Sequence, residues 1–125
     1  MKTSERATQI WPLLVQAALN RQTLTYERLA QLITMSPAGL GQLLEPIQSY
    51  CLLNELPPLT ILVVSKKSGV PGVGFIAAQD IPRQQAVVFE YSWLDRRCPT
   101  PEEFAEAVAK RPSNGVPSAG GSQLA

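Results

Sequence analysis

The residues of this chain with the types and spacing to do chemistry are cations, amides and hydroxyls rather than nucleophiles. Lys66 and Lys67 stand together in Ser65-Lys66-Lys67-Ser68-Gly69, a run that reads as a tight turn. A lysine exposed at a turn needs only proximity to a phosphate to act on it as a point charge. Arg21 lies in the polar break Asn20-Arg21-Gln22-Thr23, and Arg28 stands just beyond it, near the start of the second helix. Gln42, Glu45, Gln48 and Ser49 recur at the spacing of one helix face. A glutamine amide can pair with the edge of adenine and a serine hydroxyl with a phosphate, whereas Glu45 repels phosphates. The chemistry on offer is recognition of a polyanion, although the same residues would also make an ordinary solvated surface.

Covalent chemistry is poorly supplied. The chain has no histidine, so the common zinc constellations and the Ser-His and Cys-His pairs are impossible. Cys51 and Cys98 are the only cysteines, and without a sign of export they are expected to be two reduced thiols. Gly69, Gly72 and Gly74 are not followed by Lys-Ser/Thr and a helix, so a phosphate loop of the nucleotide-binding kind is not expected. Glu102, Glu103 and Glu106 suit a helix start and a solvated face better than a metal. No enzyme activity, metal or cofactor is expected. The net charge of +1 requires any nucleic-acid surface to come from local clustering of cations.

These residues need elements to position them. Ile10, Leu13, Leu14, Ala17 and Ala18 predict a helix from about Gln9 to Leu19, with Thr8 or Gln9 as its cap and Pro12 in its first turn. Thr25 is placed to cap a second helix, about Tyr26 to Ile33, with Leu24 and Leu29 as a hydrophobic staple. Ser36 followed by Pro37 starts a third, which buries Leu40, Leu43, Leu44 and Ile47 and must kink or restart at Pro46. Ile47 to Leu53 then adds a further helical turn or two, and Pro57-Pro58 ends it. Thr60 to Val64 reads as a buried strand, and the Ser65–Gly69 turn leads to a return strand near Phe75. Asp80-Ile81-Pro82 reads as a turn and Ala86 to Tyr91 as a further strand. Pro99-Thr100-Pro101-Glu102-Glu103 opens a last helix, with Thr100 and Glu103 as a capping box and Phe104, Ala105 and Val108 on one face. Trp11 and Trp93 are expected in the core.

The stretch Gln9-Ile10-Trp11, Thr25-Tyr26-Glu27-Arg28-Leu29-Ala30, Gly39-Leu40-Gly41, Val63-Val64 and Gly69-Val70-Pro71-Gly72-Val73-Gly74-Phe75 resembles the DNA-binding domain of alkylguanine-DNA alkyltransferases and alkyltransferase-like proteins. The resemblance covers roughly the middle half of the chain, with an insertion around Ile47 to Leu53. It implies a winged helix, and it implies that Tyr26 contacts a backbone phosphate; a half-buried aromatic bracing the helix start is the alternative role. In that family a reactive Cys and its His precede the Val-Val pair. Here the preceding residues are Pro58-Leu59-Thr60-Ile61-Leu62, with neither thiolate nor base. The arginine that fills the stack when a base is flipped would fall near Pro37 or Ala38. Alkyl transfer is therefore not expected.

The resulting expectation is an α+β winged helix-turn-helix, a three-helix core plus β-hairpin wing, with an extra strand and a C-terminal helix. Residues 1–111 would form one domain, and 112–125 a disordered Gly/Ser/Pro tail. No segment reads as a signal peptide or membrane span, so a cytoplasmic location is expected. The function expected is double-stranded DNA binding, as in a transcriptional regulator, through Tyr26, Arg28, Gln42, Gln48, Ser49, Lys66, Lys67 and Arg21. The alternative is a winged helix that binds protein, such as an antitoxin, immunity or anti-defence protein, favoured by the apolar residues Leu52, Leu53 and Leu56.

Overall fold

Helix α1, Thr3–Leu19, begins well before the expected start at Gln9. The Glu5 carboxylate accepts the Lys2 backbone N–H at 2.9 Å, which supplies the cap that neither Thr8 nor Gln9 provides. Arg6 then ties the first turn to the body by donating to the Ile33 carbonyl at 2.9 Å. Pro12 lies inside this helix, not in its first turn. A proline there leaves the Thr8 carbonyl without its N–H partner, and the Cys98 thiol approaches that oxygen at 3.8 Å as a donor. The computed structural model describes residues 2–69, 71 and 80–110.

Strand β1, Leu24–Thr25, leads directly into helix α2, Tyr26–Leu32. Thr25 caps α2 as expected, its hydroxyl oxygen accepting the Arg28 N–H at 3.0 Å. Ser36 is a cap as well, accepting the Ala38 N–H at 3.3 Å. The element it caps is a short 3-10 turn, Pro37–Gly39, which passes into helix α3, Leu40–Leu53. Helix α3 runs on through Pro46 as one element, and it buries Leu40, Leu43, Leu44 and Ile47.

The ends of these three helices share one device. After α1, Gln22 N–H bonds the Ala17 carbonyl and Arg21 N–H that of Ala18; Met35 and Thr34 repeat this after α2, and Leu56 and Glu55 after α3. This is the Schellman lock, which requires a left-handed residue just past the helix. Arg21, Thr34 and Glu55 fill that position at φ of 55°, 59° and 55°, where glycine would carry less strain.

The expected strand from Thr60 to Val64 is mostly something else. Leu59–Leu62 form a 3-10 turn and only Val63–Val64 are extended, as strand β2. A wholly buried apolar run has no alternation to mark it as a strand, and burial is the part of the expectation that holds. Strand β2 pairs in parallel with β1, Leu24 opposite Val63 and Thr25 opposite Val64. A single antiparallel bridge joins Val64 to Pro71. The return strand expected near Phe75 and the tail 112–125 lie outside the described residues.

The strand expected at Ala86 to Tyr91 is a helix. Helix α4, Ile81–Glu90, starts where a turn was expected, because Asp80 accepts the Arg83 N–H and Pro82 fits the first turn. Val88 is its fully buried residue, with Ile81 and Phe89 packed partly against the core. A 3-10 turn, Trp93–Asp95, leads on to helix α5, Pro101–Lys110. The capping box of α5 forms as expected: Glu103 accepts the Thr100 N–H at 2.9 Å and Thr100 accepts that of Glu103 at 3.1 Å. Its buried face is Phe104 and Ala107, whereas Ala105 is exposed, so the face expected there is rotated.

The described residues thus form a helix-rich α+β fold, with five α-helices and a two-stranded parallel sheet. Its centre is aromatic. Trp11 meets Tyr50 and Trp93 edge-on, each at 5.8 Å between centroids, and Phe104 at 5.9 Å. Trp93 is satisfied in the core by donating its indole N–H to the Val88 carbonyl at 2.7 Å. No described helix is long and apolar enough to cross a membrane.

Candidate nucleic-acid interface

The parallel register does most to assemble the candidate surface. Where Thr25 and Val64 lie opposite one another, both chains leave the sheet at the same end: one into the first turn of α2, the other into the Ser65–Gly69 turn. Neighbouring strands lie about 4.8 Å apart. Tyr26 and Arg28 therefore start beside the turn that carries Lys66 and Lys67.

Local hydrogen bonds fix both halves. Ser65 accepts the Lys67 N–H on its hydroxyl oxygen at 3.2 Å and the Gly69 N–H on its carbonyl at 2.8 Å. Gly69 closes the turn at a φ of 70°, a conformation that suits glycine. Lys66 and Lys67 are both exposed, with no ion pair among the described residues. Arg28 is exposed on the first turn of α2, and its guanidinium reaches Gln31 at 3.4 Å. Tyr26 is half-buried and packs against the core, which fits the bracing role and leaves part of the ring accessible.

Arg21 belongs to the other end of β1. It sits in the lock after α1, its guanidinium over the Phe89 ring at 5.5 Å from the centroid. It therefore borders α4 and does not join the lysine turn directly.

The residues expected on the outer face of α3 divide. Gln42 and Glu45 are exposed and line an open cleft of about 520 Å³ with Pro46 and with Ala105 and Val108 of α5. Gln48 is half-buried. Ser49 is buried, with 1% of its surface exposed, so it is not on the outer face as expected. It follows Pro46, also buried, by three residues, and its burial could not be read from the spacing in α3 alone.

Other charged groups are already engaged. Glu103 receives a bidentate pair from Arg97 at 2.7 and 2.6 Å, and these bonds, with the Thr100 N–H, hold its carboxyl down at about 2. Arg96 is held by the phenol of Tyr50 and then that of Tyr91, which raise its pKa further. Burial pushes the Cys51 thiol up to about 11, so it is protonated and inert at neutral pH. Partial burial raises the Cys98 thiol as well.

One surface feature escaped the sequence reading. Leu94 is 75% exposed, at the edge of a shallow groove of about 270 Å³ with Pro12, Val15, Leu19 and Arg96. The long-range packing of the Trp93–Asp95 turn on α1 creates it, and no local pattern marks it. Of the residues expected to be apolar and outward, Leu52 and Leu53 are exposed, whereas Leu56 packs partly into the core. Comparison with protein families, characterised proteins and solved structures finds no match to this chain.

Proposed function

We propose that this protein is a non-enzymatic DNA-binding module of winged-helix type, holding duplex phosphates with Lys66, Lys67 and Arg28, with Arg21 at the margin. The single observation that carries this reading is the β1–β2 register, which brings the start of α2 and the lysine turn to one end of the sheet. The order of α1, β1, α2, α3, β2 and turn agrees with a winged helix, and an antiparallel bridge at Val64 and Pro71 agrees with the base of a wing. Tyr26 supports the same reading as the half-buried aromatic residue at the start of α2.

Fluorescence anisotropy with a labelled duplex, at low and at physiological salt, tests it. Binding is expected at low salt, weaker at higher salt, and strongly reduced by Lys66→Ala with Lys67→Ala. Absence of binding at low salt, or indifference to the double substitution, removes the reading.

A second reading is a protein-docking role. It is favoured by Leu94, 75% exposed at the edge of the groove it forms with Pro12, Val15 and Leu19, where an apolar side chain borders further apolar surface. Loss of a partner upon Leu94→Asp, with duplex binding intact, would support it.

A further inference from the structure

Every cation that can reach the candidate surface lies outside the helix that would enter a groove. From Leu29 to Ser65 the chain contains no Lys or Arg, so α3 and both of its approaches carry none. Reading bases from the major groove needs a helix with several side chains free to reach base edges, held between phosphate contacts on either side.

The surroundings of α3 leave little for that purpose. Its outward row is Gly41, Glu45, Gln48 and Leu52, of which only Gln48 offers an amide, and it is half-buried. The neighbouring row runs beside α5. Tyr50 packs on Phe104 at 5.6 Å, Ser49 is buried, and Gln42 opens onto the cleft shared with Ala105 and Val108. By contrast, Arg28, Lys66 and Lys67 are exposed and gathered at the end of the sheet.

Resting on the DNA-binding reading, we infer that the partner is the phosphate backbone of duplex DNA irrespective of base sequence, held by the lysine turn and the first turn of α2. The helix α3 supports these elements from within and does not read bases. Three contacting cations set the scale: the logarithm of affinity should fall against that of salt with a slope of about −3.

The test uses the full chain with short duplexes of unrelated sequence and with a randomised duplex pool. Affinities for the unrelated duplexes should agree within about threefold, well below the cost of one mismatched base pair at a specific site. Lys66→Ala and Lys67→Ala should each reduce the salt slope by about 1. Gln42→Ala with Gln48→Ala should leave affinity and slope unchanged, and the pool should yield no enriched motif. Binding with an enriched motif, or lost upon the glutamine substitutions, overturns this inference while leaving DNA binding in place. Failure to bind any duplex at low salt removes the DNA-binding reading and the inference with it.

Discussion

Thr60 buries a hydroxyl whose oxygen has no hydrogen-bond partner among the described residues. A buried polar atom without a partner costs about 1–3 kcal/mol. Thr60→Val keeps the shape and removes the cost, so chemical denaturation should show a gain of about 1 kcal/mol. Glu103 gives a pH-dependent prediction. Its carboxyl titrates at about 2 in the folded chain, against about 4.3 when unfolded. A depressed pKa stabilises the fold above the unfolded value, and that contribution is lost as pH falls through the folded one. The stability difference between the native chain and Glu103→Gln should therefore be full near neutrality and shrink between about pH 4 and pH 2. Denaturant midpoints across that range measure it, and a difference independent of pH would contradict the assignment. At this scale the sequence was informative. Thr25, Thr100 and Glu103 cap their helices as expected, whereas Ser36 caps the 3-10 turn that leads into α3 and not α3 itself. Ser49 was not legible, since its spacing within α3 placed it on an outer face and the structure buries it.

Among the elements, the locks that end α1, α2 and α3 hold stability in reserve. Thr34 is the most costly occupant, since a β-branched residue is least suited to positive φ. Thr34→Gly should raise stability by about 1 kcal/mol, measured as a shift in the denaturant midpoint at unchanged slope. A loss of stability would mean that the Thr34 side chain contributes more than its backbone strain costs. The elements also show why local reading fails in two places. Ala86 to Tyr91 is rich in β-branched and aromatic residues and reads as a strand. The Asp80 cap, Pro82 and the packing of Ile81 and Val88 on one side make it a helix instead. Leu59 to Leu62 is buried on all sides, and a run without alternation fits a 3-10 turn as well as a strand. Local signals located the caps at Thr25, Thr100 and Glu103 but misplaced the start of α1 and the Asp80 start of α4, and burial without alternation hid the turn at Leu59–Leu62.

On the scale of the whole molecule, α5 is part of the core rather than an appendage. Phe104 is fully buried against Trp11 and Tyr50, which joins α5 to both α1 and α3. Phe104→Ala should cost about 3–5 kcal/mol in equilibrium unfolding. A cost below about 1 kcal/mol would mean that α5 adds little to the core. The sequence marked α5 as a helix but not as the cover of α3, and that cover is what narrows the candidate surface to the lysine turn and α2. The two-residue sheet has its own consequence for that surface. Its ladder is so short that few amides are shielded by pairing, and local opening there needs no rupture of the aromatic centre. Deuterium should enter at Thr25 and Lys67 long before it enters at Leu14 or Ile47, as exchange read by mass spectrometry or NMR would show. The edge that carries the lysine turn can then open while the body stays closed, and under the DNA-binding proposal slowed exchange there would report an occupied surface.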